Sequence, residues 1–530
     1  MTDDVLTTDQ ATQLGRLVDV YPEARELGER FAAAGHELYL VGGTVRDTLL
    51  AGGDAASLEQ LDLDFATSAA PEEVERLLRP WADAIWLTGA AFGTVSCRSR
   101  GSEGPGRIVE ITTFRADEYT PGSRHPDVTY GTSIEEDLAR RDLTVNAMAV
   151  QVPAFRFVDP FGGLKDLHTR ALRTPIDPQL SFGDDPLRML RLARFAAVLD
   201  AAPAEAAEAA ALAMSDQLAT VSAERIRDEL VKLIEARAPR RGIELLLRTG
   251  LADHVLPEFA ELRHCHDPMH RHKDVEAHTL AVLDNAIALE EDGPDLVLRL
   301  AAVMHDVGKP ATREIHGDGT VTFHHHDVVG ARMTRARLRE LRFDKRTIKD
   351  VSELVRMHLR FHTYKQGWTD AAVRRYVRDA GHLYGRLNAL TRADVTTGNA
   401  RKAARIQRRV DELERRAAQL REQEEMEAVR PAVDGNAIMR HLGIAPGPAV
   451  GEAWQHLLEL RLERGPMSEE QALAALDEWA ASRPELDGEA AGDGPDGGAP
   501  EEDGPDGDAE DVDRRHGGPG GPASRGDPER

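Results

Sequence analysis

The chain of 530 residues has only two cysteines, Cys97 and Cys265. They stand far apart, with no CxxC pair, which excludes a disulfide framework and a thiolate zinc site and fits a reducing compartment. Aromatic residues make up 5%, so aliphatic side chains must do most of the packing. No apolar run approaches the roughly 20 residues that span a bilayer. The N-terminus, MTDDVLTTDQ, is acidic and polar, unlike a secretory signal. A soluble, cytoplasmic protein with no membrane partner is expected. Basic charge is also short, since the net charge is -26. Phosphates repel carboxylates, so this total excludes a diffuse nucleic-acid coat. The acid is uneven, however: Glu485 to Arg530 holds 15 acidic and 4 basic residues, or -11 of the total. The rest is still acidic, so any RNA surface must be local.

What is present is enough apolar residue, 41%, for several cores, and this length suits three or four domains. Residues 21–38 read as a helix leading into a buried strand, Leu38-Tyr39-Leu40-Val41. Leu61 to Phe65 alternates with period two, and Arg107 to Thr113 is rich in β-branched residues; both read as strands. Pro71 opens a helix with Glu72 and Glu73 in its first turn. After Asp184 the pattern is helical. The expected organisation is a flexible N-terminus (1–20), a mixed α/β head (21–175), a helical neck (176–262), a histidine-bearing helical domain (263–400), a C-terminal helical region (401–482), and a disordered acidic tail (483–530). The Gly/Asp/Pro-rich tail cannot bury enough apolar surface to offset its ordering entropy. The fold class is therefore α+β.

Four stretches carry chemistry. In Leu40-Val41-Gly42-Gly43-Thr44-Val45-Arg46-Asp47, a strand runs through paired glycines into a helix. Bare backbone N–H groups and the helix N-terminus favour a phosphate, and Arg46 adds a charged fork. In Asp62-Leu63-Asp64, positions i and i+2 of a strand share a face. Two such carboxylates repel unless a cation lies between them, and hard oxygen donors suit Mg²⁺. The third stretch, Glu136 to Met148, places Arg140 and Arg141 beside Asp142 and Asn146, a set able to hold phosphate and sugar hydroxyls. The fourth runs from Asp184 to Phe195. Asp185 and Arg188 offer an acceptor and a forked donor for a base edge, and Arg188, Arg191 and Arg194 form a stripe.

These stretches, in this order, resemble the bacterial class II CCA-adding enzymes of the polymerase-β-like nucleotidyltransferase superfamily. Linking segments such as Glu110-Ile111-Thr112-Thr113-Phe114-Arg115 and Asp159-Pro160-Phe161-Gly162-Gly163 match as well, and the likeness covers residues 36 to about 260. It implies a polymerase-β-like head, then helical neck, HD and tail domains. It also implies template-independent addition of CCA to the 3′ end of tRNA from CTP and ATP. By this resemblance Asp62 and Asp64 carry Mg²⁺, and Gly43, Arg46 and Arg141 bind the incoming nucleotide. Asp185 and Arg188 read the base, with Arg191 and Arg194 in support, and Glu110 is a further candidate carboxylate. The family usually has Glu where this chain has Asp184; the charge survives on a shorter arm. Asp117 to Asp127 reads as a mobile loop beside the pocket. Arg225, Arg227, Lys232, Arg237, Arg240 and Arg241 offer a basic path for tRNA.

The second half carries His278, then His305-Asp306, then His326, His358 and Asp394. An adjacent His-Asp with a distant His and a distant Asp can hold a divalent metal between helices, and the ligand types suit several transition metals. The segment resembles the HD phosphohydrolase domain, which carries His278, His305, Asp306 and Asp394 as ligands, with His326 and His358 as further ligands or substrate contacts. A phosphohydrolase activity on RNA ends is the implied second function. Two rival readings share parts of this set. A poly(A) polymerase would have the same head, but a basic arm to grip arbitrary RNA is missing. An HD phosphohydrolase with a degenerate head would not need Asp62, Asp64, Asp185 and Arg188 intact. The oligomeric state is not legible from sequence.

Overall fold

The computed structural model describes residues 6–7, 10–12, 14–15, 21–50, 63–89, 93–100, 106–118, 127–131, 133–265, 275–318, 320–363, 368–397, 399–426 and 433–483. Asp62, residues 119–126 of the expected loop and the tail beyond 483 lie outside the described residues. The chain divides into two compact units, Met1–Met426 and Glu427–Arg530. No described helix is long and apolar enough to cross a membrane.

In the first unit residues 10–12 and 14–15 are helical and Leu14 joins the large apolar core, so the expected flexible segment 1–20 is in part packed; the helix Pro22–Ala33 follows, with Ala24, Leu27 and Phe31 buried at helical spacing. Nine strands follow: β1 Leu38–Val41, β2 Leu63–Thr67, β3 Ala82–Trp86, β4 Thr94–Ser99, β5 Ile108–Thr113, β6 Arg115–Glu118, β7 Asp127–Tyr130, β8 Ala149–Val152 and β9 Arg156–Val158. Seven of them make one sheet in the order β3-β4-β5-β2-β1-β8-β9, while β6 and β7 pair as a separate ribbon. That ribbon flanks residues 119–126, so part of the expected Asp117–Asp127 loop is strand. Only β2 and β5 run parallel; the other neighbours in the large sheet are antiparallel.

The alternation of side chains decides what each face does. Leu63 and Phe65 of β2, with Leu38, Leu40, Val109, Ile111 and Val150, join the large apolar core. Ala66, Tyr39, Val41 and Ala149 point the other way, into a smaller cluster with Ile134 and Leu138 of the Ile134–Ala139 helix. Asp64 shares this second face with Ala66. The β2–β5 register sets Glu110 directly beside Asp64.

Beyond the head the unit is mostly helical, with short strand pairs between Ala171–Leu172 and Ala202–Pro203 and between Arg313–Ile315 and Val321–Phe323. Leu187–Leu199 packs against Ala223–Ile234 and Pro239–Arg248. The histidine-bearing part is built from Val275–Ile287, Leu296–Met304, His326–Glu340, Lys345–Met357 and Tyr384–Ala393. One apolar cluster runs from the head through these helices to Val410, Leu413 and Leu420. Those three residues lie on the long helix Ala400–Met426 and correct one expected boundary. This helix belongs to the first unit, because its apolar stripe is buried there, so the expected 401–482 region divides after Met426. The second unit has its own core, with Ile438, Leu457, Leu476 and Trp479 from the helices Gly435–Leu442, Pro448–Arg464 and Glu469–Ala481.

Candidate active sites

The four motif stretches, far apart in sequence, meet at one cavity of about 670 Å³. It is lined by Gly42, Gly43, Arg46 and Asp64 from the head, by Arg141, Asp142 and Asn146, and by Asp185, Arg188, Arg191 and Arg194 from the neck. The described candidates for nucleotide and head-metal binding, Gly43, Arg46, Asp64, Arg141, Asp185, Arg188, Arg191 and Arg194, therefore all lie at this cavity, and Glu110 sits beside Asp64 through the β2–β5 register. Phe195, Arg225 and Lys232 also line the cavity.

The glycine pair divides its labour. Gly42 has φ +69, and a Cβ there would come within 3.0 Å of the Arg141 guanidinium. Only glycine meets both demands at low cost. Gly43 then opens the helix Gly43–Leu50. On that helix Arg46 is gripped by both oxygens of Asp47, at 2.7 and 2.8 Å, and donates to Asn146 Oδ1 at 2.5 Å. Its guanidinium lies 5.1 Å from the centre of the Phe195 ring. A charged fork held on three sides keeps its position without a ligand, so little ordering entropy remains to be lost on binding.

The RRD stretch is held by a buried acid. Asp137 is fully buried and accepts from Arg140 at 2.7 Å and Arg141 at 3.1 Å. Burial opposes the charge on Asp137, but the two arginines outweigh it and hold its carboxyl below the usual range. Arg141 Nε is buried with no acceptor among the described residues.

The neck arginines do not form the simple stripe read from the sequence. Arg188 points inward and donates to the Arg140 carbonyl at 2.5 Å and to Ser181 Oγ at 3.0 Å. Asp185 pairs not with Arg188 but with Arg225, at 2.8 Å. Arg191 grips Asp142 at 2.6 Å and approaches Glu229 at 3.5 Å. Arg194 meets Glu229 at 3.0 Å and stacks 4.1 Å from the Phe195 ring centre. Burial and the neighbouring Arg191 charge lower the Arg194 guanidinium to about 10, so it remains cationic at neutral pH. For Asp142, burial would raise the carboxyl, but Arg191 and the Asn146 amide pull it below its ordinary value.

Glu229 and Phe195 are the residues that sequence reasoning missed. Glu229 is buried in the helix Ala223–Ile234 and joins two arginines of another helix, a relation no local motif encodes. Breaking a buried ion pair from one side costs about 3–5 kcal/mol. A Glu229→Ala protein should therefore be less stable by that amount and show a raised KM for nucleotide. Unchanged stability by urea titration would contradict this placement.

The basic path expected for tRNA is largely engaged. Arg225 pairs with Asp185, Arg227 with Asp228, Arg240 with Glu244 and Asp284, and Arg241 with Asp200. Lys232 instead lines the cavity.

The second site lies among the helices of the histidine-bearing part. His278 is on Val275–Ile287, and His326 opens His326–Glu340. His305, His358 and Asp394 each cap the C-terminus of a helix. A helix C-terminus carries partial negative charge, so an anionic Asp394 there suits a bound cation. His278 Nε2 is 3.1 Å from Asp394 Oδ1, and His305 Nε2 is 3.2 Å from Asp306 Oδ2. His278, His305, Asp306 and His358 are each nearly inaccessible to solvent. All four sequence candidates are thus brought together, and the geometry fits a metal: three donors are buried and Asp394 is partly so, and they are mixed imidazole and carboxylate facing one another. Gly308 is part of the reason. Its Cα packs against the His326 carbonyl so tightly that a Cβ has no room, which draws the Asp306 turn onto the start of the next helix.

Three comparisons bear on these sites. Residues 38–173 match the family described as Poly A polymerase head domain, residues 202–262 the probable RNA and SrmB-binding site of polymerase A, and residues 275–477 the HD domain. The chain is 35% identical over 369 residues to an A-adding tRNA nucleotidyltransferase of Deinococcus radiodurans, covering 68% of this chain and 83% of that protein. It is 38% identical over 250 residues to a CCA-adding enzyme of Levilactobacillus brevis, covering 47% of this chain and 59% of that one. In fold it is similar to the crystal structure of the Bacillus stearothermophilus CCA-adding enzyme in complex with CTP, with a TM-score of 0.59 and 24% identity over 88% of this chain and 99% of the other.

Proposed function

The chain belongs to the tRNA nucleotidyltransferase family, and from that premise we propose that it adds CCA to the 3′ end of tRNA from CTP and ATP, releasing pyrophosphate. One observation carries this reading. Candidates from four separate stretches, with three different chemical tasks, share a single cavity. Gly42, Gly43 and Arg46 offer backbone N–H groups and a fixed fork to a triphosphate. Arg141 lines the same cavity and would meet phosphate or sugar there. Asp185 and Arg188 lie where a base would sit, with Arg191 and Arg194 behind them.

The chemistry of the family uses divalent metal. Asp62 and Asp64 would hold it as Mg²⁺, and Glu110 stands next to Asp64 as a further oxygen donor. Bound there, Mg²⁺ supplies charge against the attacking hydroxyl and the departing pyrophosphate. The protein residues do the rest by placement. They hold the α-phosphate in line with the tRNA 3′-hydroxyl, and positioning of this kind removes much of the barrier to phosphoryl transfer.

The direct test uses tRNA lacking its 3′ end, Mg²⁺, and CTP, ATP or both. CCA addition gives two C residues, one A, then a stop. A long A tail would make the protein a poly(A) polymerase and overturn the proposal. Addition of A only would overturn it too and give the protein the activity named for the Deinococcus relative.

We propose a second, metal-dependent phosphohydrolase activity in the HD part, through a divalent transition metal held by His278, His305, Asp306 and Asp394. It rests on the convergence of these four side chains, three of them buried and Asp394 partly so. An Asp306→Ala protein should release phosphate from RNA 3′-phosphate ends, or open 2′,3′-cyclic phosphate ends to the monoester, at less than a hundredth of the wild-type rate. Absence of metal-dependent hydrolysis of any such ester by the wild type sinks the idea.

A further inference from the structure

The long helix Ala400–Met426 begins with a run of cations. From Ala400 to Val410 it carries Arg401, Lys402, Arg405, Arg408 and Arg409 and no acidic residue. A helix N-terminus already bears partial positive charge, so cations are least favoured there. Arg401, Lys402, Arg405 and Arg408 are exposed and form no ion pair among the described residues. Further along the same helix the arginines are paired, Arg415 with Glu412 at 2.6 Å and Arg416 with Asp370 at 2.7 Å. In a chain with a net charge of -26, four neighbouring cations left to solvent at the wrong end of a helix are not explained by folding.

Helical geometry turns the run into a surface. At 3.6 residues per turn Arg401, Arg405 and Arg408 fall within about 60° of one another, in a row that rises about 10 Å. Lys402 and Arg409 lie on the flank between this row and the buried stripe of Val410, Leu413 and Leu420. That flank borders the histidine–aspartate cluster. Arg409 lies 5.1 Å from the centre of the Phe361 ring, three residues beyond His358. Arg392 donates to Gln407 Oε1 at 3.1 Å and pairs with Asp411 at 2.7 Å, which fastens the helix to Tyr384–Ala393, the helix that Asp394 caps. Residues 395–399 alone separate Asp394 from the helix. Within them Thr396 Oγ1 is 2.8 Å from His278 Nδ1, and Asn399 Oδ1 accepts from the main-chain N–H groups of Arg401 and Lys402 at 3.1 Å. His362 is within electrostatic reach of both sets: burial holds its imidazole below the ordinary value, the Asp394 charge opposes this, and the Arg409 and Lys402 charges add to it.

We propose that this basic row binds the sugar-phosphate backbone of a single RNA strand whose 3′ end enters the histidine–aspartate site. It rests on the phosphohydrolase reading of that site and deepens it, by naming the surface that holds the RNA behind the reacting end. The consequence is a preference for an oligonucleotide end over a free mononucleotide. A mononucleotide carries phosphate only where the ester is cleaved and gains nothing from charges one or two helical turns away. A strand brings further phosphates, and each one neutralised releases counterions. Guanidinium forks match pairs of phosphate oxygens. Hydrolysis of a 3′-phosphate end adds a water oxygen to phosphorus and breaks its bond to the ribose 3′-oxygen, which leaves as a hydroxyl with a proton from that water. The row takes no part in this step and acts on binding alone.

The test compares the full chain with its Arg401→Glu/Arg405→Glu/Arg408→Glu variant in manganese(II) chloride, on a 3′-phosphorylated ribotetranucleotide and on cytidine 3′-monophosphate. The unaltered chain should hydrolyse the tetranucleotide with a kcat/KM at least tenfold higher. The variant should lose that advantage through KM and change by less than twofold on the mononucleotide. Fluorescence anisotropy of the labelled tetranucleotide reads binding apart from hydrolysis. Its Kd should rise at least tenfold in the variant, and the slope of log Kd against log salt should fall by about 2, since three lost phosphate contacts count about 0.7 each on a single strand. Equal hydrolysis of both substrates by the unaltered chain, or an unchanged Kd in the variant, overturns the row and leaves the phosphohydrolase reading standing. A raised KM for tRNA in nucleotide addition, with hydrolysis unchanged, also overturns it and gives the row to the transfer site. No hydrolysis of either substrate overturns the phosphohydrolase reading, and the anisotropy then decides the row alone. If charge reversal lowers the helix content by circular dichroism, Arg401→Ala/Arg405→Ala/Arg408→Ala takes its place, with shifts in the same direction expected.

Discussion

Asp64→Asn protein should incorporate CMP and AMP at no more than about a thousandth of the normal rate, with its fold intact. The replacement keeps the shape and removes the charge. Asp64 lines the nucleotide cavity from the middle of a seven-stranded sheet, with Glu110 in register beside it. Its neighbours Leu63 and Phe65 are buried, so the backbone cannot move to compensate. Metal charge at a transferring phosphate accounts for several kcal/mol, and about 4 kcal/mol corresponds to a thousandfold in rate. The loss should fall on kcat, because nucleotide contacts from Arg46 and Arg141 remain. Single-turnover incorporation with trimmed tRNA measures it directly. A loss below tenfold would mean that Asp64 carries no metal in the reaction.

Replacing Asp185 by Ala should lower kcat/KM for CTP by about 10–150-fold and erode the preference over UTP. Cytosine and adenine both present an exocyclic amino group, which a carboxylate accepts from, whereas uracil presents a carbonyl oxygen at the matching position. A hydrogen bond to a charged partner contributes about 1.5–3 kcal/mol, which gives the quoted range. The side chain is accessible from the cavity and shares its charge with Arg225 at 2.8 Å. Arg225→Ala is therefore the useful companion: it should change nucleotide KM by less than Asp185→Ala does, and it should alter CTP and ATP in the same direction. Competition between CTP and UTP on tRNA ending before its CCA separates the cases. If Asp185→Ala keeps full preference for CTP, base reading lies elsewhere in the cavity.

The strongest local signals survived into three dimensions almost unchanged. Leu38–Val41 is a strand as its apolar run predicts. Pro71 starts a helix with Glu72 and Glu73 in the first turn. Residues Ile108–Thr113 form the strand expected from their β-branched content. Weaker strands went unread. Ala82–Trp86 lies at the edge of the sheet with a bulge, half exposed, so it shows no sustained period. Ala149–Val152 is apolar at three of its four positions and only four residues long, too short to tell from a helix turn.

The chemistry of the site residues was legible because reaction types demand particular groups: carboxylates two apart on a strand, paired glycines before a helix, histidines with an adjacent aspartate. Pairing was not legible, because it depends on packing between distant elements. The Arg188–Arg191–Arg194 spacing reads as one stripe, yet burial gives each arginine a different partner: Ser181 and a main-chain carbonyl, Asp142, and Glu229. A charge removed from water must find its counter-charge wherever the fold places one. The same holds for the histidines. Residue order marks His278, His305, Asp306 and Asp394 as a set with His326 and His358 as further candidates, while the three-dimensional arrangement groups His326 and His358 with Asp306 and the other two histidines with Asp394. Residue identity supplied the kinds of chemistry available; the closure of helices around buried, directional lone pairs settled which atoms meet.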